Sequence, residues 1–343
     1  MARIGYWQGV FVFAAASLGM VAGARAASAQ DFYKDKRVTL IVGSAPGGGY
    51  DTFARTTAKF WGEHIPGKPN IIVQNMNGAG SLVASNHLYN VSAKDGTVVA
   101  AVNPGIATDP LLSPDLAKFD ARKFHWIGSP LREIQTAVVW HTAAVQSLED
   151  LKTKELLVAG SGGATEVFPT VSQKVLGLKF KVIAGYAGTK EGGLAMERGE
   201  VEGIGGTTWA SIKATYGHFL AEKKIKVIIQ YGLRKHPELP DVPMLMDLPM
   251  TQDQRDQLSF VLARQDLGRP YITAPGVPDD RVAILRSSFV ATMKDPAFVK
   301  EAESRKLDLD PEPVSGEELQ KLVADIYATP APLVARLREM GVR

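Results

Sequence analysis

Glycine-rich loops follow two apolar stretches of this sequence, and their residue types are suited to binding an anion. Residues 43–50 read Gly-Ser-Ala-Pro-Gly-Gly-Gly-Tyr and come after a β-branched run at 38–42. Backbone N–H groups at a helix start have no partner within the helix and carry partial positive charge, so such a junction attracts a carboxylate or phosphate. Residues 75–81, Asn-Met-Asn-Gly-Ala-Gly-Ser, end another apolar run in the same way. The two loops predict a paired anion site.

The elements that position these loops alternate between strands and helices. The predicted strands lie at 38–42, 70–74, 97–102, 124–127, 136–140, 155–159, 181–184, 202–205, 226–230 and 271–273, and a short helix is predicted at 148–152. Strands joined by helices form mostly parallel sheets, which bind ligands outside the carboxyl ends of their strands. Glycine-bearing loops recur at 160–165 and 185–189. The sequence therefore predicts two α/β lobes with a ligand in the cleft between them.

The N-terminus has the features of a secretory signal peptide. Arg3 precedes an apolar run at residues 10–20, and small residues lead to Ala27-Ser28-Ala29. The apolar run is shorter than the ~20 residues that span a bilayer, which favours a cleaved signal over an anchor helix. We expect residues 1–29 to be removed after about Ala29, which gives an exported protein.

The composition of the 343 residues limits the chemistry that the chain can perform. A hydrophobic content of 45% predicts a globular protein with a sizeable core, and the absence of cysteine excludes disulfides and thiolate chemistry. The formal net charge of +3 comes closer to zero without Arg3 and Arg25, so nothing favours nucleic-acid binding. The six histidines lack metal-site spacing, and the loops lack dinucleotide and P-loop spacing. We expect no metal and no cofactor.

An exported α/β hydrolase is the enzymatic alternative. Ser44 or Ser161 would then be the nucleophile of a Ser-His-Asp triad. Neither serine lies in the G-x-S-x-G pattern that places such a nucleophile on a sharp strand-to-helix turn. The sequence therefore favours a binding protein over an enzyme.

Several motifs, in order, resemble those of the Bug extracytoplasmic receptors, which are the substrate-binding proteins of tripartite tricarboxylate transporters. Residues 47–55 resemble the family's GG-x-x-D-x-x-A-R signature, and residues 75–80 with 95–97 resemble its N-x-x-G-A-G and D-G-x-T segments. Pro-Asp-Val-Pro at 240–243 and Ala-Pro-Gly-Val-Pro at 274–278 are further matches. The resemblance covers essentially the whole mature chain.

This resemblance implies an α/β, two-lobed periplasmic-binding-protein-like fold of the Venus flytrap type II class, with two mixed sheets flanked by helices and a two-strand hinge. Domain 1 would comprise residues 30–133 and 268–343, domain 2 residues 134–267, and the crossing strands would lie near 126–139 and 268–274. The expected function is periplasmic capture of a small organic carboxylate by a monomer that docks transiently on membrane transporter subunits. A sensor that reports the same ligand to a membrane kinase is the alternative.

The family implies that backbone amides of the two domain 1 loops grip the ligand carboxylate, while loops of domain 2 contact the rest of the ligand. The residues predicted to bind the ligand are Ser44, Pro46, Gly47, Gly48, Gly49, Tyr50, Asp51, Gly78, Ala79, Gly80, Ser81, Asn103, Ser161, Gly163, Ala164, Thr165, Tyr186 and Thr207.

The roles of four of the polar and aromatic residues stay open at this level. Asp51 can cap its helix and pair with Arg55, four residues on, or it can bond the ligand. Tyr186 and Trp209 can cover an apolar ligand body or belong to the core. Glu166 can favour its helix dipole or face the cleft, where it would repel a second carboxylate.

Overall fold

The computed structural model describes residues 31–342, which form two mixed β-sheets flanked by helices. The predicted signal peptide lies outside the described residues. We call the part built on the six-stranded sheet lobe 1 and the part built on the five-stranded sheet lobe 2. The predicted fold class is confirmed.

Lobe 1 takes its strands from two separate parts of the chain. They are β1 (Arg37–Val42), β2 (Asn70–Asn75), β3 (Val98–Ala101), β4 (His125–Ser129), β10 (Tyr271–Thr273) and β11 (Val314–Ser315), in the order β11-β4-β10-β3-β1-β2. β1 runs parallel to β2 and β3, whereas β10 is antiparallel to β3 and β4. The buried β-branched run of β1 thus lies between two parallel neighbours.

Lobe 2 is formed by the chain between those two parts. Its strands are β5 (Gln135–Trp140), β6 (Leu156–Gly160), β7 (Phe180–Ala184), β8 (Gly203–Thr208) and β9 (Ile225–Tyr231), in the order β7-β6-β8-β5-β9. β6 is parallel to β7 and β8, and β5 is antiparallel to β8 and β9. The predicted domain boundaries are consistent with this division and stay a prediction.

Eleven α-helices lie within residues 31–342, besides several short 3-10 turns. They are α1 (Gly49–His64), α2 (Leu82–Asn90), α3 (Asp109–Leu112), α4 (Ala164–Leu176), α5 (Thr189–Glu197), α6 (Trp209–Ala221), α7 (Gln252–Ala263), α8 (Asp279–Met293), α9 (Pro296–Ser304), α10 (Gly316–Tyr327) and α11 (Ala331–Glu339). None of the helices in the described part combines the length and apolar character needed to cross a membrane.

The structure differs from the sequence prediction in a few elements. The segment near 148–152, predicted to be helical, forms only a 3-10 turn at Asp150–Lys152, and helix α7 and the short strand β11 were not predicted. β11 has only two residues, which is too short to show an alternating pattern in the sequence. It is a strand because it pairs with β4, which is distant in the chain.

The two lobes are joined where the chain crosses between them, near residues 129–135 and 264–271. Gly268 has a φ of +59°, and a β-carbon there would collide with the carbonyl oxygen of Leu131 on the other crossing segment. The N–H of Arg269 donates to Ser129 Oγ at 2.9 Å, and Ser129 Oγ donates to the Leu131 carbonyl at 2.8 Å. The close approach of these segments therefore requires glycine at position 268.

Candidate functional site

A cavity of about 120 Å³ lies between the lobes, at the carboxyl ends of their parallel strands. In lobe 1, Val42 is in register with Asn75 on one side and with Ala101 on the other, so three strands end at one edge. In lobe 2, Gly160 is in register with Ala184 in the same way. The glycine-bearing loops that follow these strands form the cavity wall.

Five helices in the described part begin at this cavity. They are α1, α2, α4, α5 and α6, each of which contributes wall residues from its first turn or its N-cap. The first N–H groups of a helix are unpaired within it, and the helix dipole gives them positive potential. The convergence of several such ends favours an anionic ligand group in the cavity.

The second lobe 1 loop is held in an unusual backbone conformation. Gly78, Ala79, Gly80 and Ser81 all have positive φ, with Ser81 at +80°. The buried Ser81 hydroxyl donates to the Gly43 carbonyl at 2.9 Å and accepts from the Asn103 N–H at 3.0 Å. One side chain thus links the loops after β1, β2 and β3, which offsets the cost of a left-handed non-glycine residue.

Asp51 fixes the first loop and does not line the cavity. Its carboxylate accepts from the Gly47 N–H at 2.8 Å, from Arg55 Nε at 2.9 Å and from Asn75 Nδ2 at 2.8 Å. Burial acts to raise the pKa of Asp51, but these hydrogen bonds outweigh it, so the pKa lies below its usual value. The Arg55 ion pair considered for Asp51 is therefore present, but Asp51 does not cap its helix, because the N-cap is Gly48 and the Gly47 N–H that donates to Asp51 lies before the helix.

The first lobe 2 loop is held by its own helix. Glu166 Oε1 accepts from the Gly162 N–H at 2.8 Å, and Thr165 Oγ1 accepts from the Ser161 N–H at 2.8 Å. The Glu166 carboxylate is thus engaged with the backbone and is not part of the cavity wall. This arrangement removes the basis for expecting Glu166 to repel a second carboxylate.

The loops of the two lobes are in direct contact around the cavity. A β-carbon on Gly80 would lie 2.8 Å from Gly163 Cα, and one on Gly49 would collide with Ser211 Oγ. Both glycines of lobe 1 therefore permit an approach that any larger residue would block. In this conformation the two lobes touch beside the cavity.

Two buried arginines lie behind the cavity wall. Arg269 Nε donates to Glu133 Oε1 at 2.7 Å, and Arg269 Nη2 donates to Thr208 Oγ1 at 3.0 Å. The Arg269 guanidinium also lies over the ring of Tyr50, 4.7 Å from its centre. Burial raises the pKa of Glu133, although Arg269 beside it acts in the opposite direction. This ion pair connects both crossing segments to a wall residue and to the N-cap of α6.

The second arginine is Arg264, which has no carboxylate partner within 4 Å among the described residues. Its guanidinium lies 4.9 Å from the centre of the Phe168 ring in lobe 2, and Arg264 Nη1 is 3.4 Å from Thr108 Oγ1 in lobe 1. Burial lowers the pKa of Arg264 to about 10 and raises that of nearby Asp109 to about 7. Arg264 thus lies buried between an aromatic ring of lobe 2 and a hydroxyl group of lobe 1.

The structure brings most of the predicted binding residues into one wall. Those that line the cavity are Ser44, Pro46, Gly48, Gly49, Tyr50, Gly78, Gly80, Ser81, Asn103, Ser161, Ala164, Thr165 and Thr207. Gly47, Asp51, Ala79, Gly163 and Tyr186 are not among the lining residues. Because no ligand is present, the assignment of the whole set as ligand contacts stays a prediction.

The two aromatic residues considered as ligand covers lie elsewhere. Tyr186 and Trp209 pack against a hydrophobic cluster of lobe 2, and Trp209 Nε1 donates to Glu238 at 2.7 Å. Apart from the ring of Tyr50, the apolar side chains of the wall are small ones, from Ala45, Pro46, Ala164 and Ala187.

Sequence reasoning did not identify several wall residues. They are Gly43, Ala45, Asn77, Gln135, Gly162, Ala187, Gly188, Thr189, Lys190, Glu191, Gly206, Thr208 and Ser211. The loop at 185–189 carried a glycine signal that could have been extended to Glu191. Gln135 begins a strand at the crossing and gives no local signal of its position.

Two mixed sheets, crossing connections and a polar cavity between the lobes define the architecture of the periplasmic binding proteins. The solved structure of the periplasmic binding protein BugD matches this chain with a TM-score of 0.71 at 20% identity, covering 91% of this chain and 99% of that one. MatC of Rhodopseudomonas palustris, solved with bound malate, has a TM-score of 0.67 at 19% identity and covers 88% and 99% of the two chains.

Sequence comparison gives a shorter match. No protein-family profile matches the chain. An Agrobacterium vitis protein, described as a UPF0065 protein in the TAR-I ttuE-ttuC' intergenic region, is 27% identical over 165 residues, which is 46% of this chain. The match spans 47%, or about half, of that relative's length. The chain has the fold of the Bug-type periplasmic binding proteins, and the resemblance that its motifs indicate is confirmed.

Proposed function

We propose that this chain is a periplasmic solute-binding receptor that captures a small organic carboxylate between its lobes. The observation that carries the proposal is the convergence of five helix N-termini on one interlobe cavity. MatC, which has the same fold, was solved with bound malate. In our account, the amides of the two lobe 1 loops hold the carboxylate, and lobe 2 closes over it.

Delivery to a transporter is the second part of this proposal. The chain would act as an exported monomer, released from its signal peptide after about Ala29, and would dock transiently on the membrane subunits of a tripartite tricarboxylate-type transporter. The membrane subunits would perform the transport step, driven by an ion gradient. The motif resemblance and the shared fold support this assignment.

The wall composition favours a receptor over a hydrolase. None of its residues is a histidine, and the Ser161 hydroxyl lies 3.3 Å from the Thr165 hydroxyl instead of a base. A serine nucleophile needs an adjacent general base for activation. Ser44 and Ser161 are therefore better explained as wall residues.

A thermal-shift screen over mono-, di- and aromatic carboxylates tests the function. A ligand present at about a hundred times its Kd stabilises the folded protein by ~2.7 kcal/mol, which moves the melting temperature measurably. We expect at least one short carboxylate to raise it. A response to neutral sugars or metal ions, with none to any carboxylate, would contradict the proposal.

A further inference from the structure

Asn77 and Gly78 form an asparagine–glycine pair that occurs once in the sequence, and both residues line the cavity. Asn77 is exposed to solvent. Asparagine is among the thermolabile residues of proteins, because the main-chain nitrogen of the next residue can attack its side-chain amide and close a cyclic imide, a succinimide. Glycine in the next position favours this reaction, since it has no β-carbon to obstruct the nitrogen.

The fold itself requires the glycine of this pair. Gly78 has a φ of +137°, which residues with a side chain rarely adopt, and a β-carbon there would lie 2.7 Å from Val83 Cγ2. Within residues 31–342, no hydrogen bond holds the Asn77 amide or the Gly78 N–H. The loop therefore places an unobstructed main-chain nitrogen next to the exposed Asn77 amide.

The other asparagines of the chain lack this combination. Side-chain hydrogen bonds hold the amides of Asn75, Asn86 and Asn90. Asn103 precedes a proline, whose nitrogen has no proton to lose, and Asn70 precedes an isoleucine, whose branched side chain obstructs the approach. These five residues are internal controls for the reactivity of Asn77.

We propose that Asn77 is a site of spontaneous modification, which converts it to aspartate and isoaspartate and thereby weakens carboxylate binding in the cavity. The Gly78 nitrogen loses its proton to solvent and bonds to Asn77 Cγ, and the Cγ–Nδ2 bond breaks with release of ammonia. Water then opens the ring and returns a proton to the Gly78 nitrogen. Cleavage of the bond to Cγ gives aspartate, whereas cleavage of the bond to the main-chain carbonyl carbon gives isoaspartate. Water is the one co-reactant.

The modification changes the charge of the cavity wall. Either product carries a carboxylate in place of the neutral amide, at a wall where helix N-termini converge. A fixed negative charge there opposes the binding of an anion. Isoaspartate also lengthens the main chain by one atom directly before Gly78, in the loop that Ser81 ties to Gly43. The effect on affinity rests on the proposed function, whereas the modification itself does not.

Peptide mass spectrometry of the purified protein, incubated in mildly alkaline buffer, tests the modification. We expect Asn77 to convert to a mixture of aspartate and isoaspartate at a rate that rises with pH, while the other five asparagines stay amides. Asn77→Gln, whose longer side chain closes a ring more slowly, should stay unmodified over the same period. Conversion of Asn77 that is no faster than that of Asn70 would overturn the proposal.

Calorimetric titration tests the effect on affinity. The probe is malate or, if malate does not raise the melting temperature, the carboxylate that raises it most in the screen. Asn77→Asp reproduces the charge of the product and should bind the probe roughly tenfold more weakly than the wild type. Asn70→Asp makes the same change at the exposed start of β2, at the end of the strand away from the cavity, and should stay within about twofold.

The age of the sample provides a second test of the same effect. Incubated wild-type protein should lose affinity in proportion to the modified fraction of Asn77, while Asn77→Gln should keep its own starting affinity. Circular dichroism of each sample shows whether the fold is retained.

The outcomes separate this inference from the proposed function. An Asn77 that stays unmodified overturns the inference as a whole. Modification together with unchanged affinity in Asn77→Asp overturns the effect on binding and leaves the modification in place. The absence of a response to any carboxylate contradicts the proposed function and the effect on affinity, while the mass spectra still decide whether Asn77 is modified.

Discussion

Gly48 illustrates how a missing side chain can form a binding surface. A β-carbon at this position would meet only the Ala45 carbonyl oxygen, at an ordinary 3.5 Å, because the space in front of it is the cavity. Its backbone is extended, with φ −78° and ψ 170°, so valine can adopt it without strain. A side chain at position 48 is therefore compatible with the fold, but it would occupy space that the ligand needs.

We expect Gly48→Val to fold with a melting temperature close to that of the wild type and to lose carboxylate affinity by a factor of roughly a hundred or more, since its methyl groups block the helix amides. Circular dichroism and calorimetric titration measure the two effects. Gly217→Ala in α6, where a β-carbon meets only open space, is the control. Unchanged affinity in Gly48→Val would mean that the loop is structural only.

Asp51 gives a pH-dependent prediction. Because its pKa in the folded state is below the usual ~3.9, ionised Asp51 stabilises the fold above that pH, and the contribution disappears as the pH falls through the lowered pKa. Asp51→Asn should cost about 1–2 kcal/mol at pH 7, and the difference from the wild type should shrink below pH ~4.

Urea denaturation between pH 7 and pH 2.5 measures this difference. Asp241→Asn, at an exposed position, should stay within about 0.5 kcal/mol of the wild type throughout. A stability gap for Asp51→Asn that is the same at both ends of the range would show that the ionised carboxylate is not what holds the Gly47 loop.

At the scale of elements, the strands and the anion loops could be predicted because their signals are local. An apolar run followed by glycines marks both β1 and its loop, and the same holds for β2. Helix α7 had a local signal as well, since Thr251 and Gln254 form a capping box, but its first turns are too polar to show an apolar stripe. The prediction missed it for that reason.

The positions of some cavity-wall residues could not be predicted from local signals. Gln135 and Ser211 reach the wall only because the crossing segments and the strand register of lobe 2 place them there. Arginine is usually exposed, so the sequence gives no sign that Arg269 is buried. In the structure it is buried against Glu133, which is 136 residues away in the chain. Such long-range pairings are set by the assembled fold.

The Glu133–Arg269 ion pair between the crossing segments leads to a prediction about the free energy of unfolding. Arg269→Met leaves Glu133 buried without its partner and should cost about 3–5 kcal/mol of unfolding free energy. The double variant Glu133→Gln/Arg269→Met should lose less than the sum of the two single variants, by about 1–3 kcal/mol, because no charge is left unpaired.

A double-mutant cycle by urea unfolding measures this coupling. Lys321→Met, which breaks the exposed i,i+4 pair with Asp325, is the surface control and should cost less than about 0.5 kcal/mol. Strict additivity at Glu133 and Arg269 would show that the pair does not join the crossing segments energetically.

At the scale of the whole molecule, capture of a ligand requires the two lobes to close on it. Ala45 in lobe 1 and Gly188 in lobe 2 approach one another across the cleft, and a β-carbon on Gly188 would lie 3.5 Å from Ala45 Cβ. This distance suits a disulfide, and the chain contains no cysteine that could compete. A pair of cysteines at these positions can therefore report closure.

The rate of disulfide formation in Ala45→Cys/Gly188→Cys tests whether a bound carboxylate closes the two lobes. The measurement compares the protein alone, with the best-binding acid from the screen and with the uncharged carboxamide of that acid, after titration shows that both single cysteine variants still bind the acid. We predict that the acid accelerates crosslinking several-fold and that the carboxamide does not, because closure depends on the carboxylate at the helix N-termini. Crosslinking that is equally fast in all three conditions, or equally accelerated by the carboxamide, would contradict the account.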